Sequence, residues 1–215
     1  MNRRQVTIIA AGAAAAAIFG GSALYYNRPR SIDPSAGDAL VRPHAPVIGR
    51  SDVPVTIVEF FDPSCEACRA FHPLVKNILA QYPEDVRLVL RYAAFHDGSD
   101  QAVGILEAAR RQNLFEPVLE ALLAAQPEWA MHGRPDLDRA WQAAASAGLD
   151  VEKARRDAGS AEIAAALQQD TNDVDTLGVR QTPTFFVNGK SMSSFGPQQL
   201  IDLVEGEVRL ARRGG

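Results

Sequence analysis

The sequence predicts an α/β fold with an inserted all-helical domain, preceded by an N-terminal apolar segment and a linker. A strand, a helix and a second strand follow one another between residues 55 and 92, and two short strands and a helix follow residue 184. Between them, at about 97–175, the composition changes to Ala, Leu, Glu, Gln and Arg, which are strong helix formers. Strand-containing ends around a helical middle indicate one sheet-containing domain, 51–215, that carries a helical insertion.

The composition fits a globular domain and excludes several classes of protein. The 215 residues are 47% hydrophobic and 22% charged, with a formal net charge of −4. Because there is no surplus of basic residues to neutralise phosphates, we expect no nucleic-acid partner. Cys65 and Cys68 are the only cysteines, so a disulfide-rich scaffold is excluded.

The N-terminal segment, 1–26, is typical of a signal peptide or a membrane anchor. Arg3 and Arg4 precede the uncharged run Val6–Tyr26, and a basic start followed by an apolar run directs export. The run is also long enough to span a bilayer, which slightly favours an anchor over a cleaved signal. Residues 27–50 contain four prolines and no amphipathic period, so they predict an extended linker with His44 in solvent. We expect the folded domain in the periplasm or at the extracytoplasmic face of the inner membrane.

Hydrophobic periodicity predicts a βαβ unit at the start of the folded domain. Val55–Phe61 and Val86–Tyr92 are apolar runs rich in β-branched and aromatic residues, typical of buried strands. Between them, apolar residues spaced three and four apart predict one face of a helix. Pro73 falls inside this helix and is expected to kink it.

The remaining elements follow from helix breakers and turn chemistry. Prolines and glycines divide the insertion into four or five predicted helices, with Trp129 and Trp141 in their core. Asn188-Gly189 predicts a type I′ hairpin turn. The elements predicted around this turn are a strand, a return strand and an amphipathic helix: Thr184–Val187, Lys190–Ser193 and Gln198–Arg212.

The two cysteines form the segment Cys65-Glu66-Ala67-Cys68 at the start of the first predicted helix. Free N–H groups at a helix N-terminus stabilise a thiolate, so Cys65 is the predicted nucleophile. Cys68, one turn later, is close enough to resolve a mixed disulfide or to close a disulfide with Cys65. A structural zinc site needs four ligands, and the chain has no second cysteine pair. We therefore predict no metal and no cofactor beyond a redox-active Cys65–Cys68 disulfide.

Two motifs resemble those of the DsbA family, in which a helical domain is inserted into a thioredoxin-like fold. Phe60–Cys68, with the sequence FFDPSCEAC, resembles the active-site segment of thioredoxin-fold oxidoreductases. Gly178–Gly189, with the sequence GVRQTPTFFVNG, resembles their cis-proline segment. The 115 positions between Cys68 and Pro183 are too many for a plain thioredoxin and suit the DsbA family. The resemblance covers about residues 44–210.

The resemblance implies roles for three further residues. Pro183 is expected to be cis and to lie beside the cysteines, where the backbone around Thr182 would hold a substrate strand. Glu59 is expected to lie beneath Cys68 and to shuttle its proton, because burial would raise the pKa of the carboxyl group. The implied activity is thiol:disulfide exchange with exported cysteine-containing proteins, with a membrane redox partner that resets the cysteine pair.

The direction of exchange depends on how strongly the protein stabilises the thiolate. Strongly oxidising members of the family have Pro-His between the cysteines, whereas this chain has Glu66 and Ala67. Because the charge of Glu66 should raise the thiol pKa, we expect these two residues to make the couple less oxidising. The sequence therefore favours a reductase or isomerase over a strong oxidase.

Two other functions remain open at this point. The cysteine pair could bind Cu(I) or another soft metal in a periplasmic metal-handling or tolerance protein. It could also capture client proteins without catalysing exchange. His72 is expected on a solvated helix face, and no role is predicted for His96 or His132.

Overall fold

The computed structural model of the chain describes residues 37–214, so the predicted signal or anchor, 1–26, lies outside the described residues. Within the described part, no helix is both long and apolar enough to cross a membrane. The elements in chain order are α1 Gly37–Leu40, β1 Val47–Ile48, β2 Val55–Phe61, α2 Glu66–Gln81, β3 Val86–Tyr92, α3 Ser99–Arg110, α4 Phe115–Ala124, α5 Gln126–Trp129, α6 Leu137–Ser146, α7 Val151–Ala158, α8 Ala161–Thr176, β4 Thr184–Val187, β5 Lys190–Ser191 and α9 Pro197–Gly214.

The strands form one mixed sheet in the order β1-β3-β2-β4-β5. β2 pairs with β3 in parallel and with β4 antiparallel. A parallel pair needs a crossover, which α2 supplies between β2 and β3. The bounds of β2 and β3 agree with the prediction, and α2 continues through Pro73.

The side chains of β2 alternate between two apolar clusters on opposite faces of the sheet. Ile57 and Phe61 belong to the larger cluster, which also contains the buried residues of α2. Val58 and Phe60 belong to the smaller cluster on the other face. Because the side-chain period of a strand is two, Glu59 shares the face of Ile57 and Phe61, under α2.

Six helices, α3–α8, occupy the predicted insertion, where the sequence predicts four or five. The extra element is α5, a single turn that periodicity does not resolve. Asp136, Asp150 and Ser160 cap α6, α7 and α8 by accepting a hydrogen bond from a backbone N–H in the first turn. Trp129 is fully buried, as predicted, whereas Trp141 is half-buried and stacks 4.6 Å from the guanidinium of Arg155.

Residues 37–50 differ from the predicted extended linker over 27–50, because they form part of the fold. They contain α1 and β1, and β1 pairs antiparallel with β3. Leu40 and Ala45 are buried in the smaller apolar cluster. His44 is also not in solvent as predicted: its Nε2 lies 2.6 Å from Oδ1 of Asp170 on α8.

A buried ion cluster attaches this N-terminal segment to β3 and α8. The guanidinium of Arg91 is fully buried and contacts carboxylate oxygens of Asp170 at 2.7 Å and Asp173 at 2.6 Å. It also donates to the backbone carbonyls of Ala39 and Leu40. A buried charge is tolerated only when it is paired and its donors are satisfied, and Arg91 meets both conditions.

The C-terminal hairpin and helix complete the sheet and cover its larger cluster. Asn188 and Gly189 both have positive φ, as a type I′ turn requires. The return strand is shorter than predicted, Lys190–Ser191 instead of Lys190–Ser193. The last helix, α9, packs buried Leu200 and Val204 into the larger cluster.

Candidate active site

Cys65 lies at the junction between the loop after β2 and the N-terminus of α2. It is the residue directly before the helix and is 6% exposed, whereas Cys68, in the first turn, is fully buried. Both residues are free thiols in the structure. Cys65 therefore keeps a small accessible area, and Cys68 has none.

The surroundings of Cys65 lower the pKa of its thiol to about 5. The largest cause is a hydrogen bond from the Cys68 thiol to the Cys65 sulfur; burial of the sulfur opposes it. A hydrogen bond from Thr182 and the backbone N–H groups of Cys68 and Ala67 also favour the thiolate. These N–H groups are unpaired donors of the first helical turn, which stabilise an anion at this position.

Thr182 and Pro183 lie beside the nucleophilic cysteine, and the peptide bond between them is cis. The neutral Cys65 thiol donates to the carbonyl oxygen of Thr182 at 3.2 Å. The Thr182 hydroxyl is buried, and no partner for it is found among the described residues. A buried hydroxyl without a partner is costly, and donation to the Cys65 thiolate supplies one.

Glu59 lies in the middle of β2 and is almost fully buried. Burial is the main reason that its pKa is raised to about 8, and the charge of Cys65 adds to the effect. Burial, followed by the hydrogen bond to Cys65 and the charge of Glu59, also holds the pKa of Cys68 well above its usual range. The charge of Glu59 thus disfavours ionisation of the buried Cys68 thiol, and the charge of Cys65 disfavours ionisation of Glu59.

Asp62 joins the loop after β2 to the segment that leads from β3 into α3, and sequence reasoning assigned it no role. One carboxylate oxygen accepts from the backbone N–H of Ser64 at 2.8 Å and from the hydroxyl of Ser99. The other accepts from the N–H of Phe95 at 2.8 Å and from Nδ1 of His96 at 2.7 Å. Every partner is a donor, so the fully buried Asp62 fixes the active-site loop to the start of the helical insertion.

Gln126, on α5 of the insertion, is a second residue that the sequence analysis missed. Its amide nitrogen donates to the carbonyl oxygens of Pro63 at 2.8 Å and Cys65 at 3.0 Å. Its amide oxygen accepts from Nε of Arg69 at 2.9 Å. The insertion therefore holds the backbone on both sides of Ser64 and orients the Arg69 side chain.

The remaining residues of interest lie around the rim of the site. Glu66 is largely exposed, and its carboxylate is 3.9 Å from Nε2 of His132. His72 is not solvated as predicted: its side chain is 14% exposed and pairs with Glu120 on α4 at 2.9 Å. Among residues 37–214, no group of three or more histidine, cysteine or acidic side chains is arranged to hold a metal ion.

A cysteine of lowered pKa at a helix N-terminus, a buried second cysteine and an adjacent cis-proline loop place the chain among proteins with a thioredoxin fold of DsbA-like architecture. A sequence profile described as thioredoxin matches residues 42–205, and the chain belongs to this family. The predicted family resemblance and fold class are thereby confirmed.

Solved structures share this fold along nearly their whole length, whereas the curated sequences that match are much longer proteins. A thioredoxin-like oxidoreductase from Silicibacter pomeroyi DSS-3 is 33% identical, with 82% of this chain and 98% of that chain covered and a TM-score of 0.68. The alpha-DsbA1 of Wolbachia pipientis shares the fold at 16% identity, with 84% and 98% covered and a TM-score of 0.73. The Na(+)/H(+) antiporter NhaA 3 of Salinispora tropica is 35% identical over 148 residues, 67% of this chain and 22% of the antiporter. The chain thus spans about a fifth to a quarter of the curated relatives it matches.

Proposed function

We propose that the protein exchanges disulfides with exported cysteine-containing proteins through Cys65 and Cys68. The observation that carries this proposal is the asymmetry of the two thiols. The pKa of Cys65 is lowered to about 5 at the edge of the site, whereas burial raises that of Cys68. A nucleophile and leaving group that keeps some accessible area, backed by a fully buried resolving thiol, is the arrangement that thiol–disulfide exchange requires. No cofactor is needed beyond the Cys65–Cys68 disulfide.

In the oxidising direction, a client thiolate attacks Sγ of Cys65 in the Cys65–Cys68 disulfide. The bond between the two cysteines breaks, and Cys68 leaves as a thiolate that takes the proton of Glu59, whose pKa is raised to about 8. A second client thiolate then attacks the client sulfur of the mixed disulfide and releases Cys65 as a thiolate. The client loses two electrons to the cysteine pair, and the low pKa of Cys65 makes it a good leaving group.

In the reducing direction the same groups act in reverse. The Cys65 thiolate attacks one sulfur of the client disulfide, the client S–S bond breaks, and the other client sulfur leaves as a thiolate. The Glu59 carboxylate then removes the proton of Cys68. Cys68 then attacks Cys65 and releases the reduced client. The carbonyl of Thr182 in the cis-proline loop lies next to the reacting sulfur, and this position supports binding of an extended client segment by strand addition.

The thiolate stabilisation supports an intermediate redox potential. A cysteine pKa of about 5 lies between about 7 for thioredoxin and about 3.5 for DsbA. Each unit by which the thiol pKa is lowered stabilises the thiolate by about 1.4 kcal/mol. For a two-electron couple this raises the reduction potential by about 30 mV. Two pKa units of extra stabilisation relative to thioredoxin, at about −270 mV, give about −210 mV. One and a half units less than DsbA, at about −120 mV, give about −165 mV, so the couple falls between these two values. This range suits isomerisation or mild oxidation of clients better than strong oxidation.

The proposed location is the periplasm or the extracytoplasmic face of the inner membrane. The basic and apolar composition of residues 1–26 supports export, as either a signal peptide or an anchor. Exported proteins acquire disulfides in that compartment, where a client is available for exchange. A membrane redox partner that resets the cysteine pair is part of the same proposal.

Trapping of clients tests this proposal. The variant Cys68→Ser, expressed with its N-terminal segment, lacks the resolving thiol and is expected to accumulate mixed disulfides that dithiothreitol releases. The matched control, Cys65→Ser, keeps the buried thiol and is expected to trap none. If neither variant traps proteins and loss of the gene increases copper sensitivity, the copper-handling alternative replaces this proposal.

A further inference from the structure

Two histidines from different parts of the chain meet beside the nucleophilic cysteine. His96 follows β3, and His132 follows α5 in the helical insertion. Their ring centroids are 6.0 Å apart with an interplanar angle of 55°. Both rings line a cleft of about 190 Å³ whose wall includes Ser64, the neighbour of Cys65.

Asp62 fixes the ring of His96. Its Oδ2 atom accepts from Nδ1 of His96 at 2.7 Å and from the backbone N–H of the same residue at 3.1 Å. The carboxylate is fully buried, whereas the imidazole is about one-third exposed. Two contacts from one residue to one oxygen set both the position and the orientation of the ring.

The charges around His96 favour its protonated form. Although partial burial lowers it, the pKa of His96 is raised overall by the hydrogen bond to Asp62 and by the charges of Asp62, Cys65 and Asp97. His132 is the other titratable group that faces the ring, and its own imidazole lies near the Glu66 carboxylate. An imidazolium here interacts electrostatically with the Cys65 thiolate and also compensates the negative charge of Asp62.

We propose that His96 is a positioning residue that supplies the positive charge facing the Cys65 thiolate. The segment between the two cysteines contains no basic residue, and the guanidinium of Arg69 is held by Gln126. His96 therefore provides from a separate loop the charge that the cysteine segment lacks. The inference rests on the proposed function and adds a pH-dependent control of the same thiol.

A thiolate titration of the reduced full chain, followed at 240 nm, tests the inference. His96→Asn keeps an N–H donor for Asp62 and removes the charge, and it is expected to move the Cys65 midpoint about one pH unit higher. Alkylation of Cys65 at pH 4.5, below both midpoints, then slows severalfold, whereas at pH 10, where the thiol is ionised in both proteins, the rates agree. The control His132→Asn is expected to leave the midpoint close to that of the wild type.

Histidine NMR of the wild-type chain gives a second test that needs no substitution. Linkage requires the Cys65 thiolate to raise the His96 midpoint by as much as the imidazolium lowers that of Cys65. The His96 midpoint is therefore expected to fall when the Cys65–Cys68 disulfide forms and the thiolate disappears. An unchanged His96 midpoint, or an unchanged Cys65 midpoint in folded His96→Asn, overturns the inference while client trapping by Cys68→Ser stands. Absence of trapping together with an ordinary thiol pKa overturns the proposed function itself.

Discussion

Replacement of Glu59 by glutamine is expected to stabilise the protein in a strongly pH-dependent way. The carboxyl group has an ordinary pKa of 4.5 and a pKa of about 8 in the folded protein, mainly because it is buried. Between these values the folded state keeps a proton that the unfolded state releases. Stability contributed by the protonated group is therefore complete below pH 4.5 and is lost as the pH rises toward 8.

The magnitude follows from the two pKa values. At 1.36 kcal/mol per pH unit, the cost of burying Glu59 is about 1 kcal/mol at pH 5 and about 4 kcal/mol at pH 8. Glutamine has nearly the same shape as the protonated acid and does not titrate. The stability advantage of Glu59→Gln over the wild type should therefore grow by about 3 kcal/mol between pH 5 and pH 8.

Urea unfolding of both reduced proteins at pH 5 and pH 8 measures this difference. The lowered pKa of Cys65 contributes with the opposite sign, because its stabilisation grows above pH 5, but it is present in both proteins and largely cancels in the comparison. Glu152→Gln, at an exposed position, is the control and should show no such growth. An equal advantage for Glu59→Gln at both pH values would refute the argument that burial keeps Glu59 protonated.

Three further predictions concern the parts of the fold that support the site. Arg91→Met leaves two buried carboxylates without their shared partner and should lower the free energy of unfolding by about 3–5 kcal/mol; a loss below 1 kcal/mol would contradict the buried ion cluster. Gln126→Ala removes both donors to the active-site loop and should cost about 2 kcal/mol in urea unfolding, and unchanged stability would count against that contact. Gly98→Ala places a Cβ 2.9 Å from Pro135 at a φ of +79° and should lower Tm by several degrees. Its control, Gly159→Ala, has open space at the Cβ, so equal losses in the two would contradict the steric explanation.

Local features of the sequence predicted the elements that carry the chemistry. β2 and β3 are recognisable in the sequence because a buried parallel strand is a short apolar run. The turn after β4 is recognisable because Asn188 and Gly189 tolerate positive φ. The nucleophilic position of Cys65 follows from its place before a helix, since free N–H groups favour an anion there. Each of these inferences depends on residues close together in the chain.

The features that sequence reasoning missed depend on contacts between distant residues. His44 pairs with Asp170, which lies 126 positions later in the chain. Because so distant a partner leaves no local pattern, residues 37–50 resemble a linker although they are part of the fold. Asp62 and Gln126 serve the site through hydrogen bonds across 34 and 61 positions. A single polar residue carries no signal of such a distant partner. The turn residue Asp62 resembles any other aspartate before a proline.

The reduction potential of the Cys65–Cys68 couple tests the central claim most directly, because it measures how far the site stabilises the thiolate. The full chain would be equilibrated in glutathione buffers of known potential, and the fraction oxidised would be measured after acid quenching and alkylation. The stabilised Cys65 thiolate predicts a value between about −210 and −165 mV. A value near −270 mV would contradict that stabilisation, a value near −120 mV would contradict its moderate size, and failure to form a disulfide would contradict the exchange function itself.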